Sequence, residues 1–305
     1  MKIIKLTLIL SLFLLSSCGG GSSSPTYTVG GTVSGLTSGS LVLKNNTGDD
    51  LIISANSTSF TFATALASGA AYAVTAGTRP SRLACDVSNN TGTIAGANVT
   101  GVIITCIAPV YVVNYFSNTV SMYAIDATTG ILTALTTPTV GTGTRPNSIA
   151  VTPAGTFAYV ANNFSGMVSM YAIDATTGIL KALGTILGSG FSPGSITVNP
   201  AGTFAYMVYN SSNTVSMYSI NATTGILTRL TPSTVETGLT PTSITVNPAG
   251  TFAYVANYSS STVSMYAIDA TTGTLTALTT PTIDTGTQPS SIAVNPAGTF
   301  AYVAN

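Results

Sequence analysis

The side chains able to do covalent chemistry are few, and their spacing limits what that chemistry can be. Gly190, Ser192 and Gly194 stand at the G-x-S-x-G spacing of a nucleophile elbow, in which a strand-to-helix turn exposes a serine to a histidine base. The chain contains no histidine. Its stretch from Gly190 to Gly194 also aligns with Gly143-Thr144-Arg145-Pro146-Asn147 and with Gly238-Leu239-Thr240-Pro241-Thr242, so it reads as one copy of a recurring loop. Glu236 is the one glutamate and has no partner carboxylate in evidence for acid–base work. These features argue against a catalytic triad or a carboxylate pair and leave no catalytic residue to assign.

A second candidate is the set Asp126, Asp174, Asn221 and Asp269, each followed by Ala-Thr-Thr-Gly. One carboxylate per copy cannot assemble the six or so oxygens of a calcium site, whereas an Asx turn explains both Asp and its replacement by Asn. These four are read as structural turn residues. No metal and no cofactor is expected: beyond Cys18, the two thiols of Cys85 and Cys106 are too few ligands for zinc. In an exported chain those two are expected to form a disulfide.

The recurring residues belong to a repeat. Tyr111, Tyr159, Tyr206, Tyr254 and Tyr302 are 48, 47, 48 and 48 residues apart. Phe157-Ala158-Tyr159-Val160-Ala161-Asn162 returns as Phe252 to Asn257 and as Phe300 to Asn305, with Phe204-Ala205-Tyr206 between. A fixed period of this size marks units that bury their apolar faces only against neighbours. In the second unit, Ser148–Thr152, Phe157–Ala161, Val168–Ile173 and Ile179–Leu183 read as four short antiparallel strands, the pattern of a propeller blade. No stretch has the 3.6-residue apolar period of a helical repeat. The tyrosine stripes, including Tyr123, Tyr171, Tyr218 and Tyr266, repeat so regularly that they are assigned to packing between blades. Positions that differ between units are better site candidates. The residue before the loop proline is Arg145, Ser192, Thr240 or Gln288, and these four are the candidate binding residues; in propellers that this repeat resembles, such loops face one mouth of the central channel.

The Tyr-Val-Ala-Asn phrase, the Pro-x-Gly turn before it and the Val-Ser-Met-Tyr-Ala-Ile-Asp-x-x-Thr-Gly after it resemble the YVTN repeats of the lactonase-like β-propeller family. That family includes bacterial proteins of the 6-phosphogluconolactonase type. The resemblance covers Val110 to Asn305 and implies a propeller of four-stranded blades. It carries lactone hydrolysis as an implied activity, for which related enzymes use polar and charged side chains at the channel mouth, histidine often among them. About four blades are expected here, with the propeller incomplete and truncated at its C-terminal end.

The N-terminal part differs in composition. Lys2 and Lys5 precede an apolar run, Leu6 to Leu15, too short to span a bilayer, and Leu15-Ser16-Ser17-Cys18 looks like a bacterial lipobox. Residues 1–17 are therefore expected to be a lipoprotein signal peptide, Cys18 the lipidated residue, and 18–26 a flexible Gly/Ser tether. Residues 27–107 alternate short apolar runs with turn signals and are expected to form a small, immunoglobulin-like β-sandwich, with Pro109 marking the junction to propeller repeats over 108–305. The whole fold class is all-β.

Charge is scarce, with 8 basic and 8 acidic residues, and loss of Lys2 and Lys5 with the signal leaves 6 against 8. With no basic stripe, nucleic acid is excluded as a partner. The lipobox implies a membrane partner through the lipid anchor, at the outer membrane or cell surface, on the periplasmic or extracellular face. The sequence favours a non-enzymatic binding or scaffolding platform for an envelope protein or glycan. The alternatives are a lactonase-type hydrolase and a structural or adhesive repeat array.

Overall fold

The computed structural model describes residues 24–188 and 192–305, all of whose regular structure is β. Nine strands precede the repeats and a tenth runs into them: β1 (Thr26–Tyr27), β2 (Val29–Ser34), β3 (Ser40–Asn45), β4 (Asp49–Ser54), β5 (Ser59–Thr61), β6 (Leu66–Ala67), β7 (Ala71–Ala76), β8 (Ala84–Ser88), β9 (Thr91–Thr93) and then β10 (Val99–Asn114). One sheet runs β4-β3-β7-β9; in another, β10 pairs with β2 in parallel and with β8 antiparallel. Val29, Val33, Leu41, Leu43, Val74, Ile104 and their neighbours from both sheets form a single buried core. Alternation along the strands explains it: in β3, Leu41 and Leu43 point inward while Val42 and Lys44 are only half-buried.

The expected junction at Pro109 is not a linker. β10 is one sixteen-residue strand that pairs with β2 and β8 over its first half and with β11 (Thr119–Ile125) over its second. Pro109 lies within it, opposite Ala124. Its position corresponds to Phe157 in the next repeat, and like that phenylalanine it packs against the neighbouring blade's turn glycine: a Cβ at Gly178 would stand 3.0 Å from Pro109 Cβ. The proline that looked like punctuation is a packing residue. Short strands such as β9, Thr91-Gly92-Thr93, carry no apolar alternation by which a sequence could show them.

The repeats build successive small sheets. β10, β11 and β12 (Leu132–Gly141) form the first. Three four-stranded antiparallel sheets follow: β13 (Pro146–Val151), β14 (Phe157–Asn162), β15 (Met167–Ile173) and β16 (Leu180–Leu187); β17 (Pro193–Val198), β18 (Phe204–Tyr209), β19 (Thr214–Ile220) and β20 (Leu227–Glu236); β21 (Pro241–Val246), β22 (Phe252–Asn257), β23 (Thr262–Ile268) and β24 (Leu275–Asp284). β25 (Ser291–Val294) and β26 (Ala301–Ala304) make a final pair. The first strands of successive sheets, β13, β17, β21 and β25, neighbour one another. Sheets joined along their first strands, with their outer strands apart, are propeller blades.

The tyrosine stripes interlock the blades. Tyr111, Tyr159 and Tyr206 each donate from their hydroxyl to the carbonyl of Gly178, Gly225 and Gly273 in the following blade, at 2.6, 2.9 and 2.9 Å. Tyr171 and Tyr266 donate backward, to the carbonyls of Gly141 and Glu236 at the ends of the preceding blades' outer strands. A buried phenol needs such an acceptor, and burial pushes the pKa of Tyr111, Tyr159, Tyr206 and Tyr266 above the ordinary value of 10.0. A methionine repeats with the tyrosines: the sulfurs of Met122, Met170 and Met217 accept from the buried amides of Leu180, Leu227 and Leu275. The asparagine that ends the repeated phrase is a clamp. Asn162, fully buried, donates to Met167 O and Ser169 Oγ and accepts from Thr142 Oγ1.

Candidate functional site at the loop-bearing rim

At one rim of the blades gather the loops that precede each first strand and the turns that join the second strand to the third. Antiparallel register places them together, since Pro146 pairs with Asn162, Pro193 with Tyr209 and Pro241 with Asn257. The N-terminal unit packs on the opposite rim. There Arg82 N donates to Ala154 O (3.4 Å) and Cys85 N to Ala175 O (2.9 Å), around a cleft of about 130 Å3 lined in part by Arg79, Leu83, Pro109 and Gly155. The Asx turns lie on that packed rim as well. Asp126, Asp174, Asn221 and Asp269 each accept from the amides two and three residues on. The ammonium of Lys181, 2.6 Å from Asp174, and these amides hold that carboxyl below its ordinary range. Among the described residues no three Asp, Glu, Cys or His side chains come together as metal ligands.

Arg145, Ser192, Thr240 and Gln288 stand at the loop-bearing rim, each in the left-handed region at φ 55°, 57°, 55° and 58°. Such a conformation costs a residue with a Cβ free energy and persists where its surroundings hold it. They do so by the backbone: Arg145 N donates to Asn118 Oδ1 and Arg145 O accepts from Asn163 N, while Thr240 is held alike by Asn213 and Tyr258. The backbone at this position therefore has the same task in successive blades, and its side chain is free to differ. The buried proline that follows each of the four fixes the loop's entry into the blade.

What differs is the chemistry placed on that frame. In the fourth blade Thr240 Oγ1 lies 2.8 Å from Ser259 Oγ. In the second, the equivalent pair is Arg145 and Phe164, with the guanidinium carbon 5.0 Å from the Phe164 ring centre and 5.8 Å from that of Tyr115. Tyr115 meets Phe116 edge-on, ring centres 5.1 Å apart. Phe116 is 88% exposed and Phe164 67%. Tyr115, Phe116 and Phe164 were missed in reading the sequence, yet the signal was there: their counterparts in the third blade are Asn210 and Ser211, and in the fourth Tyr258 and Ser259. Variation between units picks them out by the same rule that picks out Arg145.

Glu236 is not brought to Arg145. It ends the outermost strand of the third blade, while Arg145 precedes the innermost strand of the second. The G-x-S-x-G stretch has Gly190 and Phe191 outside the described residues, and Ser192 takes the same loop position as Arg145. Cys18 and the N-terminal segment also lie outside the described residues. Cys85 and Cys106 are directly paired across β8 and β10 and joined by a disulfide.

The seven-bladed β-propeller lactonase family matches residues 107–240 and, overlapping them, 191–305. The chain belongs to this family. No curated protein matches it in sequence. Among solved structures, a candidate 6-phosphogluconolactonase of Bacteroides fragilis superposes with a TM-score of 0.53 at 20% identity, over 62% of this chain and 52% of its own. The periplasmic gluconolactonase PpgL of Pseudomonas aeruginosa gives 0.52 at 22%, over 59% and 52%. A Lactobacillus plantarum protein gives 0.54 at 19%, over 88% and 86%. The chain thus spans about half the length of the first two, and at these identities the likeness is one of fold.

Proposed function

We propose that this lactonase-family propeller acts on a small lactone at its loop-bearing rim, with Arg145 as the group that meets the substrate's carbonyl or the product's carboxylate. The family match over the repeats carries this reading and favours it over a non-enzymatic scaffold. In lactone hydrolysis water adds to the carbonyl carbon, the carbonyl oxygen takes up negative charge, and the ring C–O bond breaks to leave a hydroxy acid. A guanidinium in place beforehand stabilises that oxygen and then the carboxylate. Arg145 forms no ion pair among the described residues, so its charge is not already neutralised by a protein carboxylate. The blades are read as part of a seven-bladed ring. The first hundred or so residues are read as a small immunoglobulin-like sandwich, and the lipobox-like Leu15 to Cys18 as a lipid anchor holding the protein at the cell envelope.

The test is turnover of δ-gluconolactone by the full chain in a pH-stat. Arg145→Gln is expected to lower kcat/KM about a hundredfold, the loss typical of one oxyanion donor. Glu236→Gln is expected to leave the rate unchanged, because Glu236 lies on a different blade's outer strand. Hydrolysis no faster than in buffer, or an Arg145→Gln enzyme as active as its parent, refutes the reading.

A further inference from the structure

We propose that Arg145, Phe116 and Phe164 form a binding subsite for an acidic polysaccharide, in which pyranose rings rest on the two phenylalanine faces and a uronate carboxylate pairs with the guanidinium. The proposal is independent of lactone turnover and concerns a different ligand. Three observations carry it.

The first is exposure. A single exposed apolar side chain is ordinary, but here two phenylalanines, at 88% and 67%, stand on adjacent blades, Phe164 against the Arg145 guanidinium and Phe116 edge-on to Tyr115, the other ring that the guanidinium meets. Neither is a packing residue of the repeat, since Ser211 and Ser259 take the same position in the third and fourth blades without loss of the fold.

The second is the state of the cation. The guanidinium carbon lies over the rings of Tyr115 and Phe164, which fixes its place. No described side chain or carbonyl accepts from its N–H groups, so the fork is open to a planar bidentate acceptor such as a carboxylate. The carboxylates that this rim does carry, Glu236 and Asp284, end the outermost strands of the third and fourth blades, away from the pair of blades that bear the patch.

The third is shape. Beside the guanidinium, the exposed rings of Phe116 and Phe164 make an open shelf, on which a single pyranose ring would gain little. A polymer places successive rings on the shelf and multiplies weak contacts through effective concentration. Aromatic faces suit the C–H faces of pyranose rings, and Arg145 selects the acidic polymer over the neutral one. The near balance of charge over the chain leaves no basic surface that would hold any polyanion indiscriminately.

Affinity electrophoresis of the full chain tests it, with polygalacturonate, its fully methyl-esterified form and dextran as separate probes in the gel. Polygalacturonate is expected to retard the protein, and the ester and dextran to leave its mobility unchanged. Phe164→Ala and Phe116→Ala are each expected to weaken retardation about tenfold, and Arg145→Lys, which keeps the charge and loses the planar fork, by a similar factor. Because all three side chains are exposed, an unchanged thermal midpoint is expected to accompany each loss. Equal retardation by the methyl ester, retardation that survives the substitutions, or no retardation at all overturns the proposal. Since no turnover is read, failure here leaves the hydrolase reading intact, and the reverse holds as well.

Discussion

The repeated residues owe their sameness to contacts with the next blade, which makes single atoms testable. Gly225 has φ +71° and sits so close to the ring of Phe157 that a Cβ there would lie 2.3 Å from Cδ1. Gly225→Ala therefore meets both backbone strain and overlap with a packed aromatic ring, at a combined cost of about 3 kcal/mol. Tyr159→Phe removes only the hydroxyl that donates to the Gly225 carbonyl, and is expected to cost about 1 kcal/mol while keeping the ring's packing. Urea unfolding of the two variants measures both. A Gly225→Ala protein no less stable than Tyr159→Phe would show that the blades are not in contact here. The same logic explains what the sequence revealed of the site. Arg145 stood out because its counterparts are Ser192, Thr240 and Gln288, but nothing in the sequence showed that its backbone is pinned from both sides or that two rings flank it. Those facts depend on Asn118 and Phe164 reaching it from other turns, contacts that apolar alternation along a strand does not report.

Strand β10 is the element on which the two halves of the molecule depend. It carries Val102 and Ile104 into the N-terminal core and Tyr111 and Val113 into contact with the second blade's core, with no flexible residue between. Four-stranded blades were legible because turn signals and apolar alternation recur in phase: the strands expected at Phe157–Ala161 and Val168–Ile173 are within a residue of those found. The continuity of β10 was not legible, since Pro109 is a strand breaker on local grounds and only the pairing shows that it stands where β10 has β11 alone as its partner, beyond the last residues paired with β2 and β8. The disulfide clips β8 to this strand across a sequence separation of 21 residues. Replacing both Cys85 and Cys106 by serine releases a loop of that length in the unfolded chain and is expected to cost about 3 kcal/mol. Because Cys85 N also donates to Ala175 O in the second blade, the loss is expected to reach the propeller, with faster hydrogen exchange at that amide. An unchanged unfolding midpoint together with unchanged exchange would mean that strand pairing alone holds this joint.

Over the whole molecule, the repeats make one kind of group dominate each end of the pH scale. The chain has no histidine, so no side chain with an ordinary pKa near neutrality links folding to protons there. At the acid end, Asp126, Asp174 and Asp269 are depressed below 3.8: Asp126 and Asp269 first by the backbone amides of Thr129 and Thr272, and Asp174 first by Lys181. A depressed acid stabilises the folded state above its unfolded pKa, and the contribution is lost as pH falls through the lower, folded value. At the alkaline end, burial raises the phenols of Tyr111, Tyr159 and Tyr206. The unfolded chain ionises near pH 10 while the folded one resists, so their contribution is complete below 10 and drains away above it. Asp126 and Asp269 are exposed and contribute weakly and Asp174 is half-buried, whereas the phenols of Tyr159 and Tyr206 are buried between two blades and that of Tyr111 is half-buried there. Stability is therefore expected to be flat from about pH 5 to pH 9, to decline gently below pH 4, and to fall steeply above pH 10. Tyr159→Phe and Tyr206→Phe together should lower the plateau and make the alkaline fall shallower, since two of the groups that drive it are gone. Denaturation midpoints at each pH, for the parent and the double variant, decide the matter. An alkaline limb of unchanged steepness would mean that the tyrosines between blades ionise as freely in the folded protein as in the unfolded chain, and that the interlock between blades is not what keeps them dry.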